Sequence, residues 1–97
     1  MAAYIFADVA VHDPAGYEPY RGQVPALIAA YGGRYLVRGG ATEILEGDWS
    51  PRRCVILEFP TLAQAKAFWA SPEYRPLREI RERTAHSRLV AIEGYSP

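Results

Sequence analysis

The sequence predicts an α+β sandwich of order βαββαβ, an antiparallel four-stranded sheet with helices on one face. Three observations carry this. Residues 3–11 alternate with the period of a strand. Two stretches, 13–31 and 61–84, open on a helix cap and carry apolar residues at helical spacing. Residues 32–60, GGRYLVRGGATEILEGDWSPRRCVILEFP, read as a long β-hairpin punctuated by glycine pairs. At 97 residues there is room for one domain, residues 1–97, with one core.

In the first strand Ile5, Ala7 and Val9 share one face, and Tyr4, Phe6 and Asp8 the other. Asp13-Pro14 is a helix start, a capping side chain followed by a proline suited to the first helical position. Tyr17, Tyr20, Val24, Leu27, Ile28 and Tyr31 follow at helical spacing, and Gly32-Gly33 ends the helix. Pro19 and Pro25 fall inside this span and are expected to bend or interrupt it, because each lacks an N–H. The second strand starts near Arg34, with Tyr35 and Val37 on one face and Arg34, Leu36 and Arg38 on the other. Gly39-Gly40 suggests a bulge or bend, after which the strand is expected to resume through Thr42–Leu45. Gly47–Pro51 supplies a turn into the third strand, Arg53–Phe59, which has Val55, Leu57 and Phe59 on one face and Cys54, Ile56 and Glu58 on the other. Thr61 caps the next helix, with Leu62, Ala65, Phe68 and Trp69 as its stripe. Ser71-Pro72 interrupts and restarts it, and Tyr74, Leu77, Ile80 and Thr84 continue inward. The last strand, about Arg88–Glu93, puts Val90 and Ile92 on one face and Leu89, Ala91 and Glu93 on the other. The whole is the ferredoxin-like split βαβ arrangement.

Eleven basic side chains balance eleven acidic ones, which argues against a chain built to grip nucleic acid or an anionic membrane. The third strand, RRCVILEF, lacks the exposed aromatics of an RNA-binding sheet. A single cysteine, Cys54, fits a reducing compartment. With no apolar run near the ~18 residues of a membrane span, a cytoplasmic location is expected. No HxH, HExxH, CxxC or glycine-rich phosphate loop occurs, so no metal or cofactor is expected.

Helices on one side leave the other sheet face bare. On this reading that face carries Tyr4, Phe6, Asp8, Ile56, Glu58, Leu89 and Glu93, with Arg38. It is too apolar to leave in water and too charged for an ordinary core. Pairing with the same face of a second chain resolves both, so a homodimer is expected.

GGRYLVRGG, EGDW, RRCVILEFP, SPEY and the closing IEG, in this order from Tyr4 to Gly94, resemble the domain of unknown function 1330 family. The matching positions include Gly32-Gly33, Tyr35, Arg38, Gly39-Gly40, Trp49, Arg53, Glu58-Phe59, Tyr74, Arg81 and Glu93-Gly94. The resemblance implies a ferredoxin-like protomer in a dimeric α+β barrel, a superfamily that includes cofactor-free monooxygenases and other activities. It brings no established reaction.

Arg38, Asp8 and Glu58 are the candidate catalytic residues: an arginine can clamp a carboxylate or enolate, and a carboxylate can accept a proton. The alternative is an ion-pair network that fixes the dimer. Trp49, Arg53, Tyr74, His12 and Glu93 are candidate substrate contacts, set against turn packing, core packing and ordinary surface roles. His12 and His86 lie at neighbouring strand ends and are expected to approach each other. The expected function is that of a homodimer acting without cofactor on a small organic anion. A non-catalytic small-molecule-binding or dimerisation domain is the alternative.

Overall fold

The computed structural model describes residues 1–96. The chain runs β1 (Ala3–Val11), α1 (Pro14–Ala30), β2 (Arg34–Arg38), β3 (Cys54–Phe59), α2 (Leu62–Trp69), α3 (Tyr74–Thr84) and β4 (Ala85–Glu93). The four strands form one antiparallel sheet in the order β2-β3-β1-β4, and the helices pack on one face. This is the ferredoxin-like α+β fold.

The predicted caps form. Gly16 N–H donates to Asp13 Oδ1 at 3.1 Å, and Gln64 N–H donates to Thr61 Oγ1 at 3.1 Å. Before α3, the Ser71 hydroxyl accepts from Tyr74 N–H at 3.1 Å and donates to Phe68 O at 2.8 Å, which joins α2 to α3 through one buried side chain. Pro19 and Pro25 do not interrupt α1, which runs through both. Each removes one backbone donor, and the buried Tyr17, Val24 and Ile28 hold the helix to the sheet regardless. Pro76 falls in the first turn of α3, where N–H groups lack helical partners in any case.

The register corrects three face assignments. Tyr35 opposes Leu57, but a bulge follows, so Val37 opposes Ile56 and Arg38 opposes Val55. The extra residue, Leu36, reverses the alternation and turns Arg38 toward the helices. In β4, Val90 opposes Phe6 and Ile92 opposes Tyr4, so both lie on the open face, while Leu89 opposes Ala7 and packs into the core. Glu93 opposes Ala3 and so does not join the open face. Finally, β2 does not resume after Gly39. Residues 40–53 form an exposed to half-buried loop without strand.

The core lies between sheet and helices, around Ile5, Ile28, Leu57, Phe59, Phe68, Tyr74 and Leu77. Phe68 stacks between Phe59 and Tyr74, with ring centroids 5.4 and 4.5 Å away. Gly33 sits hard against this layer: a methyl there would lie 2.6 Å from the Phe59 ring and 2.9 Å from Ile28 Cγ2. Gly33→Ala is therefore expected to destabilise the protein by about 1–3 kcal/mol through overpacking. Chemical denaturation of the variant beside the parent measures this, and an unchanged or raised midpoint would contradict it.

Candidate functional site

The sheet separates the predicted site residues into two groups. Asp8 and Glu58 are on the open face and already engaged. Asp8 accepts from Trp49 Nε1 at 3.3 Å and from Arg52 N–H at 3.0 Å, and so pins the end of the 40–53 loop, with Trp49 against the Phe6 ring at 5.9 Å. Glu58 pairs with Arg34 Nε at 2.6 Å, its cross-strand neighbour in the register. Arg38 lies on the other side of the sheet, so the three candidate catalytic residues do not meet in one site. Glu93 is exposed near the end of edge strand β4 and joins neither group. His12 and His86 do approach, with ring centroids 5.8 Å apart, and both are exposed and outside the interior cavity. Cys54 is buried beside Asp8, and burial pushes its thiol up in pKa, with the Asp8 charge adding to the effect.

The second group lines a narrow cavity between the helices and the sheet. Arg38, Arg53 and Tyr74 are here, together with Arg81, Arg21, Tyr17, Tyr20 and Tyr35 and the apolar floor of Ile5, Ala7, Val55 and Leu57. The free space is about 50 Å³, enough for a few waters or the head group of a small molecule. Neither an acid nor a histidine lines it.

Each arginine reaches the cavity for a local reason. Arg81 follows Tyr74 and Leu77 along the buried stripe of α3 and is only 6% exposed. Arg53 crosses from the start of β3 over Gly39, whose φ is +73° and where a methyl group would lie 2.6 Å from the Arg53 Nη1. Glycine at 39 thus meets a left-handed backbone and leaves room for the guanidinium. Arg38 enters because of the β2 bulge. It stacks over Tyr35, 4.6 Å from the ring centroid, and its Nη2 donates to Arg21 O at 3.4 Å.

Among the described residues Arg38, Arg53 and Arg81 form no ion pair, whereas Arg21 reaches Glu18 at 3.5 Å. The Nε–H groups of Arg53 and Arg81 are buried without a hydrogen-bond partner among these residues. Arginine stays charged in proteins, and an unpaired buried charge is costly. The cavity is therefore electropositive and short of acceptors. Its phenols are donors rather than bases: burial pushes Tyr17, Tyr20 and Tyr35 up in pKa, and for Tyr20 the neighbouring Tyr74, 2.8 Å from hydroxyl to hydroxyl, adds to the shift.

The arginine and tyrosine set was legible only in part. Arg38, Arg53 and Tyr74 stand out in the sequence as candidates, whereas Arg81, in the highly charged run REIRERT, enters only as a position of the family resemblance. Its spacing was the available signal: it falls seven residues after Tyr74 and four after Leu77, on the same helix face.

The fold and its helix–sheet cavity define a ferredoxin-like α+β protein. The sequence matches the family described as domain of unknown function (DUF1330) over residues 2–95, and the chain belongs to that family. Among solved structures it is similar to a protein of unknown function from Rhodopseudomonas palustris, at 20% identity and TM-score 0.76, over 99% of this chain and 84% of that one. It is similar to SnoaB, a cofactor-independent oxygenase from Streptomyces nogalater, at 15% identity and TM-score 0.61, over 99% and 94%. It is similar also to a dimeric protein of unknown function and ferredoxin-like fold from Bacteroides fragilis, at 14% identity and TM-score 0.59, over 96% of each chain. At these identities the likeness concerns the fold. No curated protein matches the sequence. No helix among the described residues is long and apolar enough to cross a membrane, and no three His, Cys, Asp or Glu side chains cluster as a metal site.

The raised phenol pKa values carry a pH dependence. A folded-state pKa above the unfolded value of about 10 means that stability is intact below that pH. It is lost as pH rises further, because the unfolded chain ionises first. Guanidinium midpoints are expected to fall from about pH 10 upward, and less steeply in Tyr20→Phe. A flat profile to pH 11.5 would show that these phenols are not held protonated by the fold.

Proposed function

We propose that this protein binds the anionic head of a small organic molecule in the helix–sheet cavity, as a homodimer and without a cofactor. The observation that carries this reading is the set Arg38, Arg53 and Arg81, which lines one cavity with no acid among its walls and two buried Nε–H donors unpartnered. Carboxylates, enolates and phenolates are the ligands that such donors fit, since each offers a concentrated negative oxygen to planar guanidinium groups.

As an enzyme, such a cavity would work by holding a substrate as its anion. Arginines there lower the free energy of a developing enolate or phenolate, and of the hydrogen-bonded Tyr20 and Tyr74 hydroxyls the one that accepts from the other can donate to it. The fold is shared with SnoaB, a cofactor-independent oxygenase, which supports a reaction that needs no cofactor. No wall residue serves as a ready base, so proton removal would fall to the substrate, to water or to a residue brought in from outside. A binding module that holds the anion without turning it over is the second reading, and the same missing base favours it.

The homodimer reading rests on the open face. Val90 and Ile92 are about half exposed, at 51% and 50%, beside Tyr4, Phe6, Ile56 and Trp49, with Asp8 facing Arg88 across β1 and β4. A two-fold partner would bury the apolar side chains and match the charges. The dimeric Bacteroides fragilis protein of the same fold supports this assembly.

Two outcomes follow. Multi-angle light scattering at micromolar concentration is expected to give twice the 10.8 kDa chain mass, and Ile56→Asp to shift it toward one chain; a parent mass of one chain removes the dimer. Calorimetric titration with simple monocarboxylates at low salt is expected to show saturable binding in the parent, weakened about tenfold or more in Arg81→Gln, where a charged hydrogen bond is lost. Equal affinity in the two proteins would remove the cavity as the anion site.

A further inference from the structure

The inner cavity is too small for a whole metabolite, and a second space adjoins it. Val9, Tyr17, Arg21 and Arg53 line both the inner cavity and an outer groove of about 320 Å³. The two spaces therefore share a wall, with Arg21 and Arg53 standing between them. The groove adds Val11 and Pro14, an apolar strip, and then Glu18 and Arg52 at its rim. Arg52 is exposed and forms no ion pair among the described residues; its backbone N–H, not its guanidinium, is what Asp8 holds. Arg81 on the inner side, the apolar strip and Arg52 at the rim thus lie in adjoining spaces.

We infer that the preferred ligand is a dianion with a short apolar spacer, of the chemical class of the dicarboxylates. This rests on the anion-binding reading above and adds a second anchor to it. One carboxylate lies inside against Arg81 and Arg53, where about 50 Å³ accommodates a head group. The spacer lies along Val9, Val11, Pro14 and Tyr17. The second carboxylate lies at the rim against Arg52, with Arg21 drawn from Glu18 to share it. Charge balance points the same way. Arg81 and Arg53 inside and Arg52 at the rim form no ion pair among the described residues, so a cation free to bind a carboxylate stands at each end.

The test is calorimetric titration of the protein with succinate, glutarate, adipate, pimelate and suberate, each against the straight-chain monoacid of equal carbon count, at low ionic strength. At the best length the dicarboxylate is expected to bind about threefold to tenfold tighter than its monoacid, the range for a second carboxylate on exposed arginine. Arg52→Gln is expected to remove that preference, and Arg75→Gln, an exposed arginine on α3, to leave it intact. Arg81→Gln weakens both ligand types; if it does not fold, as judged by circular dichroism, the half-buried Arg53→Gln takes its place. Equal affinity for monoacid and diacid at every length, or a preference that survives Arg52→Gln, overturns the dianion inference while leaving the anion site standing. Absence of binding by any monoacid or diacid overturns both.

Discussion

The organisation of this protein depends on one electrostatic constraint, a guanidinium buried between helices and sheet with no carboxylate beside it. Taking an ion out of water costs several kcal/mol, a large share of the ~5–15 kcal/mol that holds an ordinary domain folded. Arg81 nevertheless occupies a core position of α3, between the aromatic layer and the cavity. Tyr17, Tyr20 and Tyr74 line the same cavity, but no hydrogen bond or cation–π contact joins them to Arg81 among the described residues. They do not neutralise it. An interior cation that persists without an acid is best understood as waiting for one from solution, and the proposed anion site follows from that.

The scaffold around Arg81 serves to bring further cations to the same place. The bulge at Leu36 reverses the side-chain alternation of β2 for the two residues that precede Gly39, and so moves Arg38 from the open face to the cavity. Gly39 then supplies both the left-handed backbone that ends the strand and the open space into which Arg53 extends. On the opposite side of the sheet, Asp8 ties down Trp49 and Arg52 and fixes the direction from which Arg53 enters β3. Asp8 thus acts at a distance, through the loop, and takes no part in the cavity itself. The two faces of the sheet have separate tasks: one gathers arginines around a small space, and the other presents apolar side chains and paired charges to a proposed second chain.

Much of this was readable from the sequence, and the failures have physical causes. Strand β1 was placed correctly because Ile5, Ala7 and Val9 alternate with residues of different character. The helix starts were placed by Asp13, Thr61 and Ser71, whose side chains bond the backbone as their chemistry dictates. Strand β4 was read with its faces exchanged, because Leu89, Val90, Ala91 and Ile92 are all apolar and a period of two cannot orient a uniform run. Arg38 was assigned to the wrong face because a bulge leaves no mark in composition; the glycine pair that suggested one lies three residues too late. Arg81 enters only as a family-like position and not as a candidate site residue, because a charged run on a helix is ordinarily solvated; its alignment with Tyr74 and Leu77 is what marks it as inward.

The most direct test of the buried-cation account is the side-chain Nε–H resonance of Arg81 in a ¹⁵N-resolved proton spectrum, assigned through Arg81→Gln and followed during titration with acetate. The account predicts a slowly exchanging resonance that shifts and saturates as the carboxylate takes up the free donor. An Arg81 resonance that stays unmoved, while only the exposed arginines respond and do so without saturation, would contradict it.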